Sequence, residues 1–250
     1  MEKPYQQDKI VAVDVETTGL SAGLDEIIEI GAVLISNGKL DKTYHSLICP
    51  KKMIPREITK LTGITWEMVK KACPIEHVLP EFLKFAGDFP LLGHNLPFDY
   101  SFLKATCMQQ KISFERKGID TLRLARILLP SLEKKTLSFV ADFYEIDIEK
   151  SHRASYDAIS CAKIYLKMLE KFGNLPGKQE LFFPQELKTK IKKSESATAK
   201  QKKYLLDLLK YHKIEEVSLE RLTKSEASML IDYFKSGQLE KATAILAAFP

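Results

Sequence analysis

The sequence predicts an α/β fold: a mixed five-stranded sheet flanked by helices, followed by a small C-terminal helical module. Three observations carry this expectation. Lys9-Ile-Val-Ala-Val13 is apolar and largely β-branched, as in a strand buried on both faces. Glu26 to Ser36 is a second such run, and the Asn37-Gly38 pair after it is a tight-hairpin signal that returns a third strand, about Lys39 to Ile48, antiparallel. Two later short strands, Pro90–Gly93 and Ile119-Asp120, each lead straight into a helical pattern, which implies parallel pairing beside that meander.

The remaining elements follow in order. Residues 55–86 carry helical periodicity broken at Thr62-Gly63 and at Pro74. A helix to about Gln110 follows the fourth strand, with Pro97 early in it, where a missing N–H costs little. Helices are expected over Thr121–Leu129 and Leu137–Tyr144, and His152-Arg-Ala-Ser-Tyr-Asp157 opens a long one ending near Phe172. Gly173-Asn-Leu-Pro-Gly177 closes this region, so the chain divides into a domain over 1–175, a linker over 176–197 and a helical module over 198–250. Thr198-x-x-Gln201 and Thr223-x-x-Glu226 are capping boxes for two helices of the module. Its apolar faces are Leu205, Leu208, Leu209 on one helix and Ala227, Leu230, Ile231, Phe234 on another.

Composition narrows the class. With 45% hydrophobic and 28% charged residues the chain is of ordinary globular make-up. No apolar stretch approaches the roughly 18 residues of a membrane span, and the N-terminus has no signal-peptide core, so a cytoplasmic protein without membrane association is expected. Cys49, Cys73, Cys107 and Cys161 are too scattered for a zinc motif and read as reduced thiols. The net charge of +5 is uneven: residues 1–175 hold 24 basic against 23 acidic side chains, and residues 176–250 hold 14 against 10. An excess of this kind suits a polyanionic partner.

The chemistry starts where the first strand ends, at Asp14-Val15-Glu16-Thr17-Thr18-Gly19. Carboxylates are depleted in buried strands, and Asp14 and Glu16, at i and i+2, share a face. Their repulsion, roughly 4 kcal/mol at 4 Å and an effective dielectric near 20, calls for a cation between them. A strand end where both acids reach solvent is the alternative. Asp99 and Asp157 each fall on the first turn of a helix, and such helix starts converge with strand ends along one edge of an open sheet. Oxygen ligands suit Mg²⁺ or Mn²⁺ rather than zinc. His152, five residues before Asp157, is a workable general base at neutral pH or else a solvated surface residue.

Asp-x-Glu-Thr-Thr-Gly at 14–19, His94-Asn-x-x-Phe-Asp99 and His152-Arg-Ala-x-x-Asp157, in this order, resemble the three motifs of the DnaQ-like DEDDh 3′→5′ exonucleases. That family includes the epsilon subunit of DNA polymerase III and the exonuclease region of PolC. The match covers residues 8–172, and Leu61-Thr-Gly-Ile-Thr65 resembles the family's loop near the terminal nucleotide. The resemblance implies an RNase H-like fold and release of nucleoside 5′-monophosphates from DNA 3′ ends, in proofreading or repair. By the same analogy two divalent cations, Mg²⁺ or Mn²⁺, are held by Asp14, Glu16, Asp99 and Asp157, with His152 taking the proton of the attacking water. Thr17, Thr18, Gly19 and Leu20 would seat the 3′ end, with Leu61, Asn95 and Phe98 beside it; plain core packing is the other reading of Leu20 and Phe98. Trimming of RNA 3′ ends, and a subunit that only docks on a polymerase or clamp, are the alternatives.

Beyond the first domain, Gln179-Glu-Leu-Phe-Phe183 loosely resembles the pentapeptide with which bacterial proteins bind the sliding clamp, although Glu180 departs from it. Gln179, Leu181, Phe182 and Phe183 would then be clamp-binding residues; alternatively Leu181, Phe182 and Phe183 dock the linker onto the domain. Lys188, Lys190, Lys192, Lys193, Lys200, Lys202 and Lys203 form a basic stretch suited to a nucleic-acid backbone or to solvent.

Overall fold

The first strand, β1 (Lys9–Thr17), is central to a six-stranded sheet of order β3-β2-β1-β4-β5-β6. The computed structural model describes residues 9–148, 152–189, 191, 195–215, 217–220 and 222–246. β2 (Ile27–Ser36) pairs antiparallel with β1, and β3 (Lys39–Leu47) pairs antiparallel with β2. Asn37 (φ 51) and Gly38 (φ 73) make the hairpin between them, both in the left-handed region that such a turn requires. β4 (Leu91–Gly93) and β5 (Lys117–Asp120) run parallel to β1, as the helices after each of them demand.

The sixth strand was not expected. β6 (Gln185–Glu186) is two residues of the linker paired antiparallel to the start of β5. Short and polar, it carries no apolar alternation from which a strand could be read.

Helices cover both faces. Over residues 55–86, the expected breaks give α1 (Arg56–Thr62), α2 (Trp66–Val69) and α3 (Ile75–Ala86). α3 and α4 (Leu96–Gln109) pack on Val11, Val13 and Val15, while α5 (Thr121–Leu128), α6 (Leu137–Phe143) and α7 (Ala154–Phe172) pack on Ile10 and Ala12. The alternation of β1 thus sends odd residues into one core and even residues into the other.

The chain forms two compact units, residues 1–191 and 192–250. The second holds α8 (Ala199–Tyr211), α9 (Lys224–Lys235) and α10 (Leu239–Leu246) around Leu205, Leu209, Leu230 and Phe234. Both capping boxes are formed: Thr198 Oγ1 accepts from Gln201 N–H, and Thr223 Oγ1 accepts from Glu226 N–H. Lys200, Lys202 and Lys203 lie on α8; Lys190, Lys192 and Lys193 lie outside the described residues. Among the described residues no helix is long and apolar enough to cross a membrane.

Candidate active site

The even face of β1 runs Ile10, Ala12, Asp14, Glu16, and only its last two positions escape the apolar core. Across the β1–β2 ladder Asp14 faces Gly31, and Glu16 faces Glu29. A side chain on Gly31 would run into the backbone of Ala154 and Ser155, so its absence lets the start of α7 lie flush on the strands beside Asp14. That seating brings Asp157, in the first turn of α7, to the same edge.

Asp99 arrives from the next crossover. It sits in the first turn of α4, 3% exposed, and its Oδ1 accepts the Val15 N–H at 3.0 Å. Val15 lies between Asp14 and Glu16, so this bond ties Asp99 directly to the strand end. The turn before α4 is set by Asn95, at φ 72, whose N–H donates to Asp120 Oδ1 at 2.8 Å; that same oxygen caps α5 through Leu122 N–H at 3.0 Å.

His152 is exposed and also left-handed, at φ 58, a conformation held by its N–H donating to Asp157 Oδ2 at 3.0 Å. Glu16, His152 and Asp157 can each offer one donor atom, all within 4.8 Å of one another. The expected carboxylates are therefore brought to one edge of the sheet from β1, α4 and α7, with His152 at its rim.

At this edge carboxylates outnumber the cations near them, and the nearest guanidinium, that of Arg153, is engaged by Glu29. Burial and then the neighbouring Asp99, Glu16 and Asp157 push the Asp14 carboxyl well above its usual range. Burial raises Glu16 and Asp99 each to about 8, and Asp157 to about 6, with neighbouring carboxylates adding to each. Four carboxyls that resist ionisation together are a set of oxygen donors that a bound cation would stabilise in the charged form. Oxygen donors in this number and at this spacing fit a hard divalent ion.

Around the edge, Thr17 and Thr18 are buried and hold the loop after β1: Thr17 Oγ1 donates to the Gly19 carbonyl at 2.6 Å, and Thr18 Oγ1 accepts the Glu26 N–H at 2.9 Å. Gly19 lies against the Asp25 carboxylate, which accepts the Ser21 N–H at 2.8 Å. Leu20, at the tip of this loop, is 84% exposed, and Leu61 on α1 is 54% exposed. Phe98 is half-buried, its ring centre 5.0 Å from that of Phe102. Core packing is thereby excluded for Leu20 and accounts for part of the Phe98 ring.

The linker peptide has a different setting. Gln179–Phe182 is a 3-10 turn in which Phe182 is fully buried against Tyr165 of α7, and Leu181 packs on the same core. Phe182 cannot fill a partner's pocket while it fills this one. The arrangement is that of a linker docked on its own domain.

The family model described as exonuclease, RNase_T, matches residues 11–165. The chain belongs to this exonuclease family. It is 46% identical over 169 residues to a DNA polymerase III PolC-type protein of Caldanaerobacter subterraneus subsp. tengcongensis, covering 68% of this chain and 12% of that one. It is 37% identical over 162 residues to the DNA polymerase III subunit epsilon of Aquifex aeolicus, covering 64% of this chain and 80% of the relative. The match thus spans only about an eighth of the PolC-type relatives. In structure the chain resembles Exonuclease X in complex with 5′ overhanging duplex DNA, with TM-score 0.57 and 24% identity over 69% of this chain and 99% of that one. It also resembles the nuclease domain of 3'hExo, described as a DEDDh family member bound to rAMP, with TM-score 0.56 and 22% identity over 66% and 92% of the two chains.

Three further residues shape the site: Glu29 and Asp120, which lie outside the three motifs, and Arg153, which lies within the third. Glu29 lies fully buried beside the metal-ligand candidates. It carried the same signal as Asp14, a carboxylate inside a continuous apolar strand, but as a single acid in mid-strand it lacks the i, i+2 pairing that marks Asp14 and Glu16. Arg153 is the Glu29 partner. Asp120, at the junction of β5 and α5, could have been found as a helix N-cap.

Proposed function

We propose that this chain is a metal-dependent 3′→5′ exonuclease that removes nucleoside 5′-monophosphates from DNA 3′ ends, in proofreading or repair. The observation that supports it most is the convergence of Asp14, Glu16, Asp99 and Asp157 on one sheet edge, from three separate elements, with His152 at the rim. The four carboxylates would hold divalent cations, Mg²⁺ or Mn²⁺. When bound, such cations activate the nucleophile and stabilise charge on the leaving 3′ oxygen. His152, open to solvent and next to Glu16 and Asp157, accepts the proton of the attacking water at a ring nitrogen. The backbone of Thr17–Leu20 seats the terminal sugar and its 3′-hydroxyl, with Asn95 at the neighbouring turn. Leu20, Leu61 and the free side of Phe98 take the last bases, an apolar grip that tolerates any sequence. DNA as substrate is favoured by the relatives named as DNA polymerase III proteins.

Matched DNA and RNA oligonucleotides labelled at the 5′ end, incubated with Mg²⁺ or Mn²⁺, test this reading. Wild type is expected to shorten the DNA from its 3′ end and release nucleoside 5′-monophosphates, and Asp14→Ala is expected to be inert. Faster shortening of RNA would move the assignment to an RNA-trimming enzyme. Equal activity of Asp14→Ala and wild type would overturn the site.

A further inference from the structure

Among the described residues of the first unit, Glu29 is the carboxylate with the most hydrogen bonds, and none of the roles above uses it. Its side chain is wholly inaccessible to solvent. Arg153 Nε donates to its two oxygens at 3.0 and 3.2 Å, and Arg153 Nη2 donates to Oε1 at 2.7 Å. Ala154 N–H donates to Oε2 at 2.9 Å, and His45 Nε2 lies 2.7 Å from Oε1. Burial opposes the Glu29 charge, yet the bonds from Arg153, Ala154 and His45 prevail and hold its carboxyl below the usual range. An ion pair this deep adds little net stability compared with apolar packing, so its value lies in what it fixes.

What it fixes is the segment bearing two site residues. Arg153 is the residue before α7, and Ala154 is its first. His152 immediately precedes them, and Asp157 follows in the same turn, joined to the His152 N–H. On the other side Glu29 is the ladder partner of Glu16. We propose that Glu29 is a positioning residue, which through Arg153 and the Ala154 N–H sets His152 and Asp157 against Glu16 for metal binding and proton transfer. It also engages the Arg153 guanidinium, a cation close to Glu16 that would otherwise be free to pair with the carboxylates meant for a metal. The bidentate fork gives direction as well as charge, so lysine cannot replace Arg153.

The inference rests on the exonuclease reading for its kinetic arm and stands apart from it in its metal-binding arm. Full-length wild type, Glu29→Gln, Arg153→Lys and Leu79→Ala are compared. Leu79 is a fully buried residue of α3 in the opposite core and controls for lost stability alone. On a short DNA oligonucleotide with Mn²⁺, at a temperature where all four are folded by circular dichroism, Glu29→Gln and Arg153→Lys are expected to lose roughly 10- to 100-fold in kcat. Their KM should stay within about twofold, with Leu79→Ala near wild type. Titration of Mn²⁺ without substrate, read from the electron paramagnetic resonance of the free ion, should show binding weakened about tenfold in both site variants. Wild-type kcat and Mn²⁺ affinity in Glu29→Gln, or full function in Arg153→Lys, would overturn the proposal. So would a kcat loss in Leu79→Ala equal to that of Glu29→Gln. If wild type is inert on every 3′ end, the exonuclease reading fails, and the Mn²⁺ titration alone decides whether Glu29 positions the ligands.

Discussion

Asp99→Asn should abolish hydrolysis and yet stabilise the metal-free protein. Asp99 is 3% exposed, and its carboxyl is raised from 3.8 to about 8, first by burial and further by Asp120 and Asp157. Between those two values the folded state binds more protons than the unfolded chain, so stability falls as pH rises from about 4 to about 8 and stays low above that. A displacement that large sets a ceiling on the order of 5 kcal/mol on the cost of the ionised form in the metal-free protein. Because Asp14 and Asp157 share the repulsion, the gain on removing one charge is expected to be about 2 kcal/mol near pH 8. Asparagine fits the geometry, because its Oδ1 can keep the Val15 N–H bond. Melting in EDTA across pH 5 to 9 reads this out: the variant should exceed wild type by roughly 4–8 °C at the alkaline end and by less at the acid end. Added Mn²⁺ should narrow the gap, since only wild type offers the full set of ligands. If the variant melts at or below wild type at pH 8 in EDTA, Asp99 is not a strained ligand held for a metal, and the electrostatic account of the site fails.

The other predictions concern the site's surroundings. Phe182→Ala should lower the urea midpoint of the first unit by the equivalent of about 3–5 kcal/mol, the usual loss for a buried ring, while leaving oligonucleotide hydrolysis near wild type under folding conditions. Gly31→Ala should push the start of α7 off β2 and reduce kcat, measured beside its melting temperature, because the new methyl has only backbone to displace. Leu20→Ala should raise KM about fivefold on short DNA with kcat almost unchanged, as the loss of an apolar contact worth about 1 kcal/mol would require. Truncation after Ile191 keeps the first unit entire and should preserve hydrolysis of short DNA, while binding to longer DNA weakens and becomes less salt-dependent. Unchanged binding would give the second unit another role.

How the site could be read from sequence, and where that reading stopped, follows from the range of the interactions. Alternation along β1 places Asp14 and Glu16 on one face, and nothing beyond the strand itself is needed to infer it. Asn37-Gly38 dictates its hairpin through backbone conformations that few other pairs adopt. Asp99 and Asp157 were legible as first-turn acids because helix starts follow local patterns. The linker was less legible. A loose pentapeptide match in Gln179–Phe183 says nothing of whether Phe182 faces solvent or Tyr165, and the two polar residues of β6 become a strand only because the edge of β5 lies open beside them.

Which carboxylates stand at the strand end and the helix starts is encoded locally, in periods of two and 3.6 residues and a few capping and turn preferences. What holds them in register depends on contacts between distant parts of the chain. The Val15 N–H reaches an oxygen on Asp99, 84 residues away, and Glu29 grips Arg153 across 124 residues. Contacts over such separations have no periodicity in the chain; the first exists because the turn after β4 lays the start of α4 beside β1, and the second because Gly31 leaves room for α7 to rest on the sheet.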